Sequence, residues 1–162
     1  MNKVKKTNNF VKKNHIPPKA QNQRSEHWEN IWKNPPRSLG TYYHRWLSRT
    51  YQFIIPKGFR VLELGCGGGD LLASLEPEYG VGIDFSPSAI QQAHKAHPQL
   101  HFKVMDIEAL ELDKKEFDFI IISDLINDLR DVQAVLIKLQ QHCHAGTRII
   151  INYYNQLWKG PL

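Results

Sequence analysis

Val61-Leu62-Glu63-Leu64-Gly65-Cys66-Gly67-Gly68-Gly69-Asp70 decides the fold: an apolar run breaks into glycines, and Leu71-Leu72-Ala73-Ser74-Leu75 follows at once. This pattern predicts a strand, a tight turn and a helix start. Glycines at 65, 67, 68 and 69 leave a turn whose main chain a ligand can touch. The helix that follows is expected to direct unpaired N–H groups toward that ligand.

Outward from this turn the chain alternates short apolar runs with helical stretches. Strands are predicted at Arg60–Leu64, Tyr79–Asp84, His101–Met105, Phe117–Ser123 and Arg148–Tyr154. Ser86-Pro87 supplies an N-cap and first-turn proline for a helix to His97, and Asp131–His142 reads as another. The alternation predicts an α/β fold, a Rossmann-like three-layer α/β/α arrangement around a mainly parallel five-stranded sheet. Upstream, Leu39–Ile55 spaces Tyr43, Trp46, Leu47 and Tyr51 as an amphipathic helix. Its aromatic stripe either packs on the sheet or walls a pocket with Tyr43, His44 or Arg45; such stripes are usually core.

The 162 residues suffice for one domain with a substantial core. The net charge of +5 is unevenly placed: positions 1–24 hold seven Lys/Arg and no acid, so the rest nets −2. Residues 1–24 read as a disordered basic tail, and 25–162 as the folded unit, with a helical lead-in over 25–57 opened by Ser25 and a nucleotide-binding core over 58–155. Basicity confined to a tail argues against a nucleic-acid substrate. Two cysteines, Cys66 and Cys143, form no disulfide framework and point to a reducing cytoplasm. No apolar run is long enough to span a bilayer. His94, His97, His101, His142 and His144 lack a metal-type motif and read as surface residues, so no metal site is assigned.

Ligands of doubly wound sheets bind beyond the carboxyl ends of the strands, and those ends are polar here: the glycine turn, Asp84, Asp106 and Ser123-Asp124. Asp84 lies 19 residues after Gly65, where a carboxylate accepts bonds from a ribose diol. Each carboxylate has a plainer reading as a helix cap or turn residue; four polar strand ends together favour a shared crevice. The spacing Gly65-x-Gly67-x-Gly69 differs from the dinucleotide G-x-G-x-x-G, and Glu63 and Asp70 flank it. Those acids repel a pyrophosphate and suit a cationic ligand. A dinucleotide oxidoreductase is therefore the weaker enzyme reading.

The motifs Val61–Asp70, Gly82–Ile90, Met105–Ile107 and Phe117–Asp124, in this order, resemble those of class I S-adenosylmethionine-dependent methyltransferases. The resemblance spans about residues 39–155 and implies S-adenosylmethionine as cofactor. It implies that Glu63, Gly65 and Gly67, with Cys66 and Gly69 in the same turn, cradle the methionine part. Asp84 then holds the ribose and Phe85 lies against the adenine; Asp106 takes its amino group with Ile107 beside the ring, and Ser123 and Asp124 line the methyl-transfer end. Tyr42–Arg45 and Ser123–Leu129 are also similar to methyltransferase modules found beside glycosyltransferases in bacterial polysaccharide assembly, implying a small-molecule, sugar or lipid-linked acceptor. His44, Asp124, Asn127 and Asp128 are the candidate catalytic residues, none singled out.

In that family the sheet continues past the fifth strand, so this chain is expected to lack the usual last two strands. Its last strand is then an exposed edge open to a second copy or a larger partner. A catalytically silent cofactor-binding or docking module of a larger biosynthetic protein is the alternative to an active enzyme. Cys66 reads as a small turn residue rather than a nucleophile.

Overall fold

Val61, Leu62 and Leu64 have no solvent-exposed surface, because the strand that carries them is paired on both sides. The computed structural model describes residues 18–33, 40–113 and 115–153. In chain order they form α1 (Pro18–Lys33), α2 (Gly40–Ile54), β1 (Arg60–Leu64), α3 (Asp70–Ser74), β2 (Tyr79–Asp84), α4 (Pro87–Ala96), β3 (His101–Val104), β4 (Phe117–Ser123), α5 (Val132–Leu139) and β5 (Cys143–Asn152). Short 3-10 turns occupy Ile107–Ala109, Ile126–Asp128 and Gln140–His142.

The five strands form one sheet in the order β3-β2-β1-β4-β5, and every pair is parallel. The order reverses at β1: the chain moves outward through β2 to β3, then returns to build β4 and β5 on the other side. Alternation along the strands splits the core into two layers. Val61, Phe119 and Ile121 pack with Leu47, Tyr51 and Ile55 of α2 and with Leu72 and Ile90 of α3 and α4. Leu62, Leu64, Ile120 and Ile122 face Val135 and Leu139 of α5. This is the expected three-layer α/β/α arrangement.

Two element starts and one burial differ from the sequence reading. Helix α1 begins at Pro18 rather than at Ser25, which lies inside it; residues 1–17 of the basic tail lie outside the described residues. Proline suits a first helical position, and Lys-Ala-Gln-Asn-Gln-Arg carries mostly good helix formers, so a helix anchored downstream propagates back through a stretch with no apolar stripe. Strand β5 starts at Cys143, before the expected Arg148. It opens with the pair Phe117↔Cys143, then bulges so that Phe119 faces Arg148; Thr147 Oγ1, which donates to Phe117 O at 2.6 Å, holds the bulge. His142 is fully buried, edge-on to Phe117, with Nδ1 3.2 Å from Lys115 O, and not a surface histidine. Among the described residues the outer edge of β5 is unpaired, with Ile149 and Ile151 partly exposed.

At the amino ends of β1, β4 and β5, Asp118 accepts from Arg60 N (2.8 Å), Nε (3.2 Å) and Nη2 (3.1 Å), and His144 Nε2 lies 3.0 Å from Oδ1. The Arg60 hydrogen bonds hold the Asp118 carboxyl down at about 2, against an ordinary 3.8. A depressed folded-state value gives stabilisation that is present above the unfolded value and is lost as pH falls toward the folded one. Asp118→Asn is expected to lower the urea midpoint at pH 7, with the gap to wild type closing between about pH 4 and pH 2. A gap independent of pH contradicts this assignment.

Candidate functional site

Beyond Leu64 the chain turns back on itself, and Gly65 N and Cys66 N both donate to Ile83 O, at 2.7 and 3.0 Å. These bonds fasten the glycine turn to the carboxyl end of β2, and Gly69 N closes the turn on Cys66 O at 2.9 Å. Two glycines are required by what lies beside them. Gly69 has φ +79°, and a β-carbon there would meet the Phe102 ring 2.5 Å away; at Gly67, φ +52°, it would collide with the indole of Trp32. A side chain at Gly69 would enter the core, so packing alone requires a glycine there.

Cys66 agrees with its reading as a small turn residue. Its side chain is buried among Val61, Ala93 and Phe102, and a β-carbon on Gly82 would sit 2.8 Å from its sulfur. Burial pushes the thiol's pKa up, consistent with a packing residue and not a nucleophile. The helix start that was expected to direct N–H groups toward the ligand has two of them taken within the protein. Helix α3 has only five residues, Ala73 N donates back to Gly69 O, and Leu72 N donates to Glu63 Oε2 at 3.1 Å.

Glu63 therefore braces the turn from below, 3% exposed, at the end of β1. Burial raises its pKa to about 8, opposed by the Leu72 bond and reinforced by Asp84 and Asp70. An acid whose folded value is raised costs stability as pH climbs from its unfolded value to its folded one. Glu63→Gln keeps an acceptor for Leu72 N and is expected to match wild type near pH 4, then become progressively more stable than wild type up to about pH 8. Parallel stability curves between those limits contradict it.

Asp84 ends β2 at 6% exposure. Gly67 N donates to Oδ2 and Ser86 N to Oδ1, both at 2.9 Å, so the carboxylate is clamped between the glycine turn and the start of α4. A carboxylate offers about four acceptor positions, so about two remain for a ligand. Its pKa is raised by burial first, against the Ser86 and Gly67 bonds, with Glu29 adding to the rise. Phe85 beside it is half-buried.

The remaining strand ends converge on the same edge. Asp106 is exposed, and its Oδ1 accepts from Glu108 N at 2.9 Å, so its capping reading holds while its other oxygen stays available; Ile107 is buried beneath it. Glu108 joins this loop to the next by accepting from Arg130 N at 2.7 Å and from Asp131 N at 3.1 Å. Ser123 is half-buried at the end of β4, and Asp124 follows in the left-handed region at φ +52°.

Asp124 belongs to a network that sequence reasoning missed. Tyr43 donates to its Oδ2 at 2.7 Å, Asn152 Nδ2 to its Oδ1 at 2.9 Å, and Tyr51 to Asn152 Oδ1 at 2.5 Å. The signal present in sequence was the i, i+4 row of Tyr43, Leu47, Tyr51 and Ile55; it gave the inward face but not the hydroxyl partners. Of the other candidate catalytic residues, His44 and Asn127 are exposed and Asp128 is half-buried in a 3-10 turn.

The carboxyl edge of the sheet at the reversal of strand order thus brings together a glycine turn, a clamped carboxylate with acceptor capacity to spare, and an aromatic and an aliphatic side chain. These groups fit a ribose, a planar base and a positively charged tail better than a pyrophosphate.

Comparison with known proteins points the same way. The profile of a family described as "Methyltransferase domain" matches residues 55–160. A ubiquinone biosynthesis O-methyltransferase of Coxiella burnetii is 32% identical over 117 residues, covering 68% of this chain and 50% of its own. A malonyl-[acyl-carrier protein] O-methyltransferase of Bacillus cytotoxicus is 32% identical over 132 residues, covering 78% of this chain and 44% of its own. The chain thus spans about half the length of the curated relatives it matches. Phosphoethanolamine N-methyltransferase 1 of Haemonchus contortus, solved with phosphoethanolamine and S-adenosylhomocysteine, superposes with a TM-score of 0.70 at 16% identity, over 88% of this chain and 34% of that one; the likeness is one of fold.

Proposed function

The chain belongs to the class I S-adenosylmethionine-dependent methyltransferases, and from that membership we propose that it methylates an oxygen of a small-molecule, carbohydrate or lipid-linked acceptor. When bound, S-adenosylmethionine would supply a sulfonium methyl group to the acceptor oxygen, with the neutral thioether S-adenosylhomocysteine as the leaving group.

The observation that carries this reading is Asp84, held by Gly67 N and Ser86 N with acceptor capacity left for the two ribose hydroxyls. Gly65 and Gly67 present backbone to the methionine part, while Glu63 holds the turn from within rather than meeting the ligand. Phe85 lies against the adenine, with Ile107 in the core beside it, and the open oxygen of Asp106 takes its amino group. Ser123 and Asp124 lie at the methyl-transfer end.

Methyl transfer asks mainly for alignment, and for a base only where the acceptor must lose a proton. Asp124, oriented by Tyr43 and Asn152, is the group assigned to hold that proton. An oxygen acceptor is supported by the two curated relatives, both named as O-methyltransferases. Among the described residues no helix is long and apolar enough to cross a membrane, and both cysteines are free; a cytoplasmic setting is the reading these support.

The test is methyl-labelled S-adenosylmethionine incubated with the chain and a phenol, a carboxylic acid, a sugar and an amine, followed by mild alkali to separate esters from ethers. Label in an alkali-labile ester or an alkali-stable ether supports the proposal. Transfer only to an amine overturns its oxygen part.

A further inference from the structure

Helix α1 is fastened at the carboxyl edge of the sheet by contacts that no sequence motif announced. Glu29 accepts from Ser86 Oγ through Oε2 and from Ser88 Oγ through Oε1, both at 2.5 Å, at the N-terminus of α4. Ser86 is fully buried, and its own N–H donates to Asp84. One continuous path therefore runs from α1 through Ser86 to the carboxylate assigned to the ribose. One turn on, the six-membered ring of Trp32 lies against the backbone of Gly67 and Gly68, where β-carbons would meet it, and Gln92 Nε2 donates to Trp32 O at 2.7 Å.

These contacts are specific and few. Glu26, His27, Asn30 and Lys33 are exposed, as is Trp28, and among the described residues α1 packs chiefly on α4. The helix contributes little to the two core layers, and neither hydrophobic cluster includes one of its residues. What α1 does reach is the glycine turn and the Ser86 corner, the two loops that bracket Asp84. The half-buried indole keeps apolar ring surface beside a turn that is otherwise bare backbone.

We propose that α1 is the closing wall of the cofactor site, with Trp32 as a ligand-contacting residue on the glycine turn and Glu29 as the positioning residue that latches the helix to Ser86 and Ser88. The inference rests on the reading of this crevice as an S-adenosylmethionine site. A ligand seated on Gly65–Gly67 is flanked by the indole on its outer side, and the wall slows its escape. Because Glu29 acts through Ser86 and Ser88, its loss loosens the wall without removing a ligand contact.

The test is S-adenosylhomocysteine binding to the full chain and to Trp32→Ala, Glu29→Ala and Trp28→Ala, by calorimetry and by dissociation rate, with hydrogen exchange of residues 26–33 followed on ligand addition. Trp28 sits on the same helix and serves as the control for the helix itself. Trp32→Ala is expected to raise Kd about tenfold through a faster dissociation rate, Glu29→Ala to do so less, and Trp28→Ala to leave Kd within about twofold. In wild type the amides of 26–33 gain protection with ligand. Equal affinity in Trp32→Ala, equal losses in Trp32→Ala and Trp28→Ala, or tighter binding in Trp32→Ala each overturn the proposal while leaving the cofactor reading intact. A wild-type chain that does not bind S-adenosylhomocysteine overturns both.

Discussion

Asp84→Asn is expected to weaken S-adenosylhomocysteine binding by about 10- to 150-fold for each charge-assisted bond it removes, from the roughly 1.5–3 kcal/mol such bonds contribute. The substitution keeps the side chain's shape, so the loss reports charge and acceptor number. It also places an amide NH2 where the carboxylate now accepts from either Gly67 N or Ser86 N, and one of those buried donors then faces another donor. The melting temperature must therefore be read beside the affinity, since part of the effect is a loosened turn. Burial holds Asp84's pKa above the ordinary value of 3.8. Wild-type affinity should accordingly fall on acidification at a higher pH than an ordinary carboxylate would dictate, and the asparagine variant should lack that step. A folded Asp84→Asn protein with wild-type affinity removes the ribose assignment.

Gly69→Ala is expected to be strongly destabilising, because the ring an added methyl would meet is buried in the core. The residue sits at φ +79°, where an L-residue costs roughly 1–2 kcal/mol, and its β-carbon would lie 2.5 Å from Phe102 Cζ and 3.4 Å from Ala93 Cβ. Overpacking of this kind adds roughly 1–3 kcal/mol. Together they come to about 2–5 kcal/mol, or a fall in Tm of roughly 4–20 °C for a chain of this size. Gly58→Ala separates the two terms, because Gly58 has the same φ of +79° with nothing within 4 Å of the added carbon. Its expected cost is the backbone part alone, about 1–2 kcal/mol. Equal melting temperatures for the two variants contradict the packing argument.

The contrast between these glycines shows what was legible in the sequence. That Gly65, Gly67 and Gly69 form a turn after a buried strand followed from local pattern, as did the strands at 60–64, 79–84 and 117–123 and the Ser86-Pro87 helix start, whose Ser86 Oγ accepts from Ala89 N. Which glycine meets a ligand, which meets Phe102 and which meets Trp32 depends on partners 33 to 35 residues away, and no spacing rule encodes them. The same limit hid the Tyr43–Asp124 and Tyr51–Asn152 bonds, whose partners are 81 and 101 residues apart. The alternatives for the aromatic helix turned out to be compatible: Tyr51 is buried core and holds Asn152 through its hydroxyl, while Tyr43 reaches the crevice edge. Helix α1 was read only from Ser25 because the residues before it carry no apolar stripe, and its tie to the site runs through Glu29 and Trp32.

One measurement bears most directly on the central claim that the glycine turn and Asp84 form an S-adenosylmethionine site: calorimetric titration of the full chain with S-adenosylhomocysteine and, separately, with NADH. The account predicts saturable one-to-one binding of S-adenosylhomocysteine and no heat of binding from NADH at the same concentrations. Saturable NADH binding without S-adenosylhomocysteine binding, or a folded chain that binds neither, contradicts it.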